Sequence, residues 1–116
     1  MALKLAVDAR RAAESGDPAR VRQAAGRCRA ALDAELEPHF QCEERDLLPW
    51  LETAGLSSLA ARMRNDHAAL RQRAVALPDS GVEALLDFAE LLAVHVRFEE
   101  REMFPAFECL LEPDRP

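Results

Sequence analysis

The stretch HFQCEERDLLPWLE, residues 39–52, returns as HVRFEEREMFPAFE at residues 95–108. The two agree at six of fourteen positions, His, Glu, Glu, Arg, Pro and Glu, where background composition gives about one match. Each begins HxxxE, and in a helix that spacing sets an imidazole and a carboxylate one turn apart on the same face. The repetition points either to one packing solution used twice or to chemistry shared between two helices.

Four helical stretches account for the chain around this repeat. The first runs from the N-terminus to about Glu14 and stops at SGDP, where Gly16 can adopt a left-handed conformation and Asp17-Pro18 suits the cap and first turn of the next helix. The second runs from near Pro18 to about Thr53, ending at Gly55, with kinks predicted near its internal prolines Pro38 and Pro49. The third begins after Ser57 or Ser58 and ends before Pro78. The fourth opens on Ser80-Gly81-Val82-Glu83, the spacing of a capping box, and continues to about Leu111. A composition rich in Ala, Leu, Arg and Glu, 49% hydrophobic and without Tyr, agrees. Short connections make neighbouring helices antiparallel. The expected fold is all-α, an up-down-up-down antiparallel four-helix bundle forming a single domain over residues 1–116.

Steps of three and four residues trace the inward seams. The fourth helix reads Leu85, Phe88, Leu92, His95, Glu99 and Glu102; the second reads Leu32, Leu36, His39, Glu43 and Asp46. The third keeps an apolar stripe of Leu56, Ala60, Met63, Leu70, Ala74 and Leu77, interrupted by His67. A lone histidine on such a stripe is ordinarily a hydrogen-bonded core residue. Three of them, with Glu43 and Glu99 one turn beyond two of the three, are harder to pack, because a buried carboxylate without a counter-charge costs several kcal/mol. No lysine or arginine interrupts the seams, although Arg64 and Arg71 flank His67 and could reach in. Metal ions answer the charge better, and a mixed nitrogen and oxygen donor set suits iron or manganese. Leu36, Arg64 and Leu92 stand where an ExxH carboxylate bundle has glutamate, and there is no HExxH.

Other function classes recede. A net charge of -6 and a pI near 5.1 oppose general affinity for nucleic acid or anionic membranes, and the arginines of ARVRQAAGRCR and RMRNDHAALRQR read as solvated helix faces. Cys28, Cys42 and Cys109 contain no CxxC pair and read as small core fillers in a reducing cytoplasm. Trp50, Met103, Phe104 and Phe107 read as core. No apolar run approaches the roughly 20 residues of a membrane helix, and MALKLAVDARRAAE becomes charged too early for a secretory signal.

HFQCEERDLLP, NDHAALR and HVRFEEREMFP resemble, in order and separation, the second-, third- and fourth-helix motifs of the hemerythrin-like, or HHE cation-binding, domains. The resemblance implies a bundle around a non-haem di-iron or related dimetal centre, with manganese or zinc as other candidates. By it, Glu43 and Glu99 bridge the metals while His39, His67 and His95 are terminal ligands. Arg71 stands where oxygen carriers have a second third-helix histidine, and Glu99 lies four residues after His95 where they place the carboxylate five after. Both departures resemble the HHE branch. Family members also carry a first-helix histidine just before a stretch like ALKLA, where this chain has Met1. One metal position then keeps His67, His95 and both glutamates, and the other keeps only His39. The expectation is an incomplete site, through natural loss or a chain that begins one residue late.

The function so implied is metal binding in the sensing, storage or handling of iron, oxygen, nitric oxide or peroxide, with a non-enzymatic role favoured over an enzymatic one. A di-iron oxidase or peroxidase and a metal-free helical interaction module are the alternatives.

Overall fold

The computed structural model describes residues 2–77 and 81–106. They form the four-helix bundle expected, with no strand among the described residues. The first helix is Ala2–Ser15. The second is continuous over residues 18–53, the third is Ser57–Ala76, and the fourth covers residues 81–106, opening with Gly81–Phe98. No helix among these is long and apolar enough to cross a membrane. Met1, Ser80 of the expected capping box, Phe107, Cys109 and the expected end near Leu111 lie outside the described residues.

The turns follow their residue chemistry. Asp17 caps the second helix, its carboxylate accepting from Ala19 N at 3.0 Å, with Pro18 in the first turn, where a missing N–H costs nothing. At the other end Gly55 takes φ 83°. It donates to Glu52 O while Leu56 donates to Leu51 O at 2.8 Å, the paired bonds of a Schellman stop. The third helix starts directly at Ser57 behind Leu56 without a side-chain cap.

The second and fourth helices contain three π-helical turns, Leu32–Leu36, Glu43–Leu47 and Glu99–Met103. Each lies just ahead of an internal proline. Glu37 N, Leu48 N and Phe104 N, which precede Pro38, Pro49 and Pro105, donate to Leu32 O, Glu43 O and Glu99 O, five residues back. A proline cannot donate to the carbonyl four residues back and crowds it, and one extra residue in the turn relieves both problems. The kinks expected near Pro38 and Pro49 are therefore these widened turns.

An inserted residue advances the inward face, and this corrects the seams. Glu102 is exposed and Met103 buried; Asp46 is exposed, and Leu48 is buried with Leu47 partly so. After the Leu32–Leu36 turn the inward position passes from His39 to Phe40, which is 1% exposed. No such turn precedes His95, and it is buried.

Apolar packing forms two tiers. The larger joins the first helix to Val21, Cys28, Leu32, Leu36 and Phe40 of the second, Leu70 and Leu77 of the third, and Leu85, Phe88 and Leu92 of the fourth. The first helix's fully buried residues in it are all alanines, Ala6, Ala9, Ala12 and Ala13, so that its backbone can lie close, with Ala2 and Leu5 packed partly buried at the edge. The smaller tier is Leu48, Leu51, Ala60, Met63, Phe98 and Met103. Each fully buried leucine or phenylalanine contributes roughly 1.5–3 kcal/mol. Along the second, third and fourth helices, the stretch between the tiers holds Glu43, His67, His95 and Glu99.

Of the smaller expectations, Cys28 is buried as read, but Cys42 is exposed, because its neighbour Glu43 takes the inward position. Trp50 is half-buried and Phe104 is 39% exposed, so of Trp50, Met103 and Phe104 only Met103 is fully buried.

Candidate metal centre

The second helix presents Glu43, the third His67, and the fourth both His95 and Glu99. One potential ligand atom from each lies within 4.8 Å of all the others. All four side chains are buried. His67 Nε2 is 3.2 Å from Glu43 Oε1, and His95 Nε2 is 2.6 Å from Glu99 Oε1. Despite these short separations, Glu43 Oε1, His67 Nε2 and His95 Nε2 have no aligned hydrogen-bond partner.

The other ring nitrogens explain the tension. His67 Nδ1 lies 2.7 Å from Glu44 Oε2, and His95 Nδ1 lies 2.8 Å from Asp66 Oδ2. An ionised carboxylate only accepts, so each Nδ1 carries the proton and donates it. A neutral ring then turns its Nε2 lone pair toward a glutamate that also has only lone pairs to offer. Two acceptors held face to face repel unless a cation stands between them. A metal ion fits that place, and so does a second proton on the imidazole.

The ionisation of the groups follows this geometry. Burial pushes the Glu43 carboxyl above its ordinary range; His67 opposes the shift and nearby Glu99 reinforces it. Burial acts on Glu99 in the same direction, but its contact with His95 outweighs it and holds Glu99 low. Burial disfavours the charged form of His95, yet Glu99 and Asp66 together raise it above the usual histidine value. Without a metal, a proton on His95 takes part of the work a cation would do.

Rings and charges brace the cluster. Phe40 stacks on His67 with centroids 4.0 Å apart and an interplanar angle of 15°, and meets His95 edge-on. Arg71 donates from Nε to Glu37 Oε2 at 2.7 Å and from its terminal nitrogens to Glu44 at 2.9 and 3.2 Å. Partial burial raises Glu44, but hydrogen bonds from Arg71 and His67 prevail and keep it below the ordinary carboxylate range. Arg64, the other arginine flanking His67, turns away to pair with Glu52.

His39 stands apart from the four. Its side chain is 57% exposed, with Nε2 3.5 Å from Glu43 Oε2. It borders a cavity of about 300 Å³ whose walls include Ala2, Leu3, Phe40, His95, Glu99 and Glu100, so the cluster has an open side between the first, second and fourth helices. Sequence reasoning did not single out Glu44 or Asp66. Their signal was position: each is an acidic residue directly beside a residue of the cluster, and an i±1 neighbour on a helix can reach the adjoining helix.

A family model described as the hemerythrin HHE cation-binding domain matches residues 2–107. No curated protein and no solved structure matches the chain. The family match covers most of the sequence, and the helices and buried His/Glu cluster it encloses can hold a cation; the chain belongs to the hemerythrin HHE cation-binding family.

Proposed function

We propose that this protein binds non-haem iron at one well-ligated position formed by His67, His95, Glu43 and Glu99, with His39 beside it as the sole histidine of a second, under-ligated position. The observation that carries the reading is the set of three buried acceptor atoms without hydrogen-bond partners, Glu43 Oε1, His67 Nε2 and His95 Nε2, which converge with Glu99. Two imidazole nitrogens and two carboxylates form a donor set suited to iron or manganese, with zinc also accommodated. Iron held there would supply a Lewis-acidic, redox-active centre with room for an outside ligand.

The protein's own groups do the rest. Phe40 and the two apolar tiers limit water at the cluster, while the cavity beside His39 gives a small molecule such as oxygen, nitric oxide or peroxide a way in. The role that fits is sensing, storage or handling of iron or of such a molecule in the cytoplasm.

Anaerobic titration with ferrous iron, followed by elemental analysis, tests the reading. The expected result is roughly one tightly held metal per chain and a much weaker second. Folded protein that retains no iron, manganese or zinc would leave the metal-free interaction module standing in its place. Mixing the reduced, loaded protein with oxygen or peroxide in a stopped-flow instrument then separates reversible binding from turnover.

A further inference from the structure

Glu44 and Asp66 occupy matching positions in a relay that crosses the bundle. The second helix offers Glu43 to the cluster and the next residue, Glu44, to His67 of the third helix. The third helix offers His67 to the cluster and the preceding residue, Asp66, to His95 of the fourth. The second and third helices thus each supply one group to the centre and one to the next helix's histidine. The repeat counterpart of Glu44 is Glu100, which lines the open cavity instead.

Resting on the reading of the four-residue cluster as a metal centre, we infer that Glu44 and Asp66 are its positioning residues. Each takes the Nδ1 proton of one buried imidazole in a hydrogen bond, fixes the tautomer, and aims Nε2 at Glu43 and Glu99. A ring held this way is also a more basic donor, because the carboxylate draws the Nδ1 proton toward itself. Neither residue touches the metal position itself.

The two supports are built unequally. Glu44 is gripped by Arg71, which Glu37 holds in turn. Asp66 has Arg62 Nε only at 3.8 Å, and that guanidinium lies over the Phe98 ring, 4.2 Å from its centroid, and reaches Glu102 at 3.4 Å. Arg71 therefore acts on the centre through Glu44, holding its carboxylate in line with Nδ1. Arg62 has little such leverage on Asp66.

Zinc, which is diamagnetic, serves as the probe. Affinity is measured by chelator competition, and nitrogen-15 spectra of the histidine rings report which nitrogen carries the proton. The unsubstituted protein loaded with zinc should show His67 and His95 bound through Nε2 and protonated at Nδ1. Glu44→Ala and Asp66→Ala should each weaken zinc binding about 10- to 100-fold and speed exchange of the Nδ1 proton they leave uncovered. Glu44→Gln keeps an acceptor oxygen but not the charge, so it should retain the tautomer with an intermediate affinity. Arg71→Met should weaken binding in the native background and change nothing further beside Glu44→Ala. Asp87→Asn, which removes a surface carboxylate paired with Arg73, should leave affinity unaltered.

Absence of zinc binding by the unsubstituted, folded protein would overturn the metal-centre reading and this inference with it. Normal zinc binding that Glu44→Ala and Asp66→Ala leave unchanged would overturn the inference alone. So would an equal loss in Asp87→Asn, which would trace the effect to overall charge.

Discussion

His67 is wholly buried, yet both its ring nitrogens face carboxylates on the second helix: Nδ1 faces Glu44 and Nε2 faces Glu43. His95 is placed likewise between Asp66 and Glu99, whereas His39 has most of its side chain in solvent. Replacing His67 or His95 with Ala should therefore lower metal content more than replacing His39. Elemental analysis of the folded variants checks this, and equal loss across all three would contradict two unequal positions. The glutamates should also differ when no metal is present. Glu43 has its carboxyl raised by burial and one oxygen without a partner, so Glu43→Gln should stabilise the metal-free protein by about 1 kcal/mol, the low end of the cost of such an atom. A raised carboxyl contributes its stability in acid and loses it as pH rises through the folded value. The advantage of the amide should accordingly be absent in acid, where Glu43 is protonated, and grow toward neutral pH. Glu99→Gln should do the opposite and destabilise, because it takes from His95 a carboxylate that favours its charged form. Urea unfolding of both variants in the presence of chelator, at acid and neutral pH, decides it.

At the scale of the helix, the prolines govern where each side chain points. Pro38 precedes His39 by one residue, and the π-helical turn ahead of it hands the inward position to Phe40; Val94 precedes His95, and that helix runs regularly from Gly81 to Phe98. The repeat is thus symmetric in letters and asymmetric in aim. A proline in an unbroken helix interior costs about 3 kcal/mol, but the widened turn has already accommodated Pro38. Pro38→Ala should then stabilise by only about 1 kcal/mol and leave His39 as reactive toward diethyl pyrocarbonate as before. A gain near the full cost, with His39 protected, would mean that the proline alone holds the turn open. The same turns mark the limit of what could be read from the letters. Helix ends at Gly16 and Gly55, the seams of the third helix and of the fourth through Glu99, and the convergence of Glu43, His67, His95 and Glu99 all follow from period and punctuation. Period alone fails at His39, which follows a π-helical turn, and at Asp46 and Glu102, which lie within one, because a step of three or four does not count the extra residue. Glu44 and Asp66 were hidden for a different reason: an acidic residue next to a seam reads as solvated surface until the neighbouring helix is in place.

Across the whole molecule, a layer of ionisable groups divides the apolar interior. Ligand-linked stabilisation should be correspondingly plain: metal at about a hundred times its dissociation constant adds about 2.7 kcal/mol, and chelation should remove it reversibly. Differential scanning calorimetry at several metal concentrations measures the dependence, and a melting temperature indifferent to metal would argue that the cluster stays vacant in solution.

The unequal size of the two tiers has a further bearing on how the protein opens. The smaller tier, built on Leu48, Leu51, Ala60 and Met63 with Phe98 and Met103, receives no side chain from the first helix among the described residues. It is joined to the rest of the interior across the ionisable layer. Without metal, it has the means to open as a unit while the larger tier remains closed, since local opening needs only the contacts of that unit to break. Amide hydrogens of Leu51 and Met63 should then exchange faster in chelator than those of Leu32 and Leu85, and loading the centre should bring the two groups to a common rate. The ion would in that case act as a rivet between two cooperative units, and its release would announce itself as local unfolding at one end of the bundle.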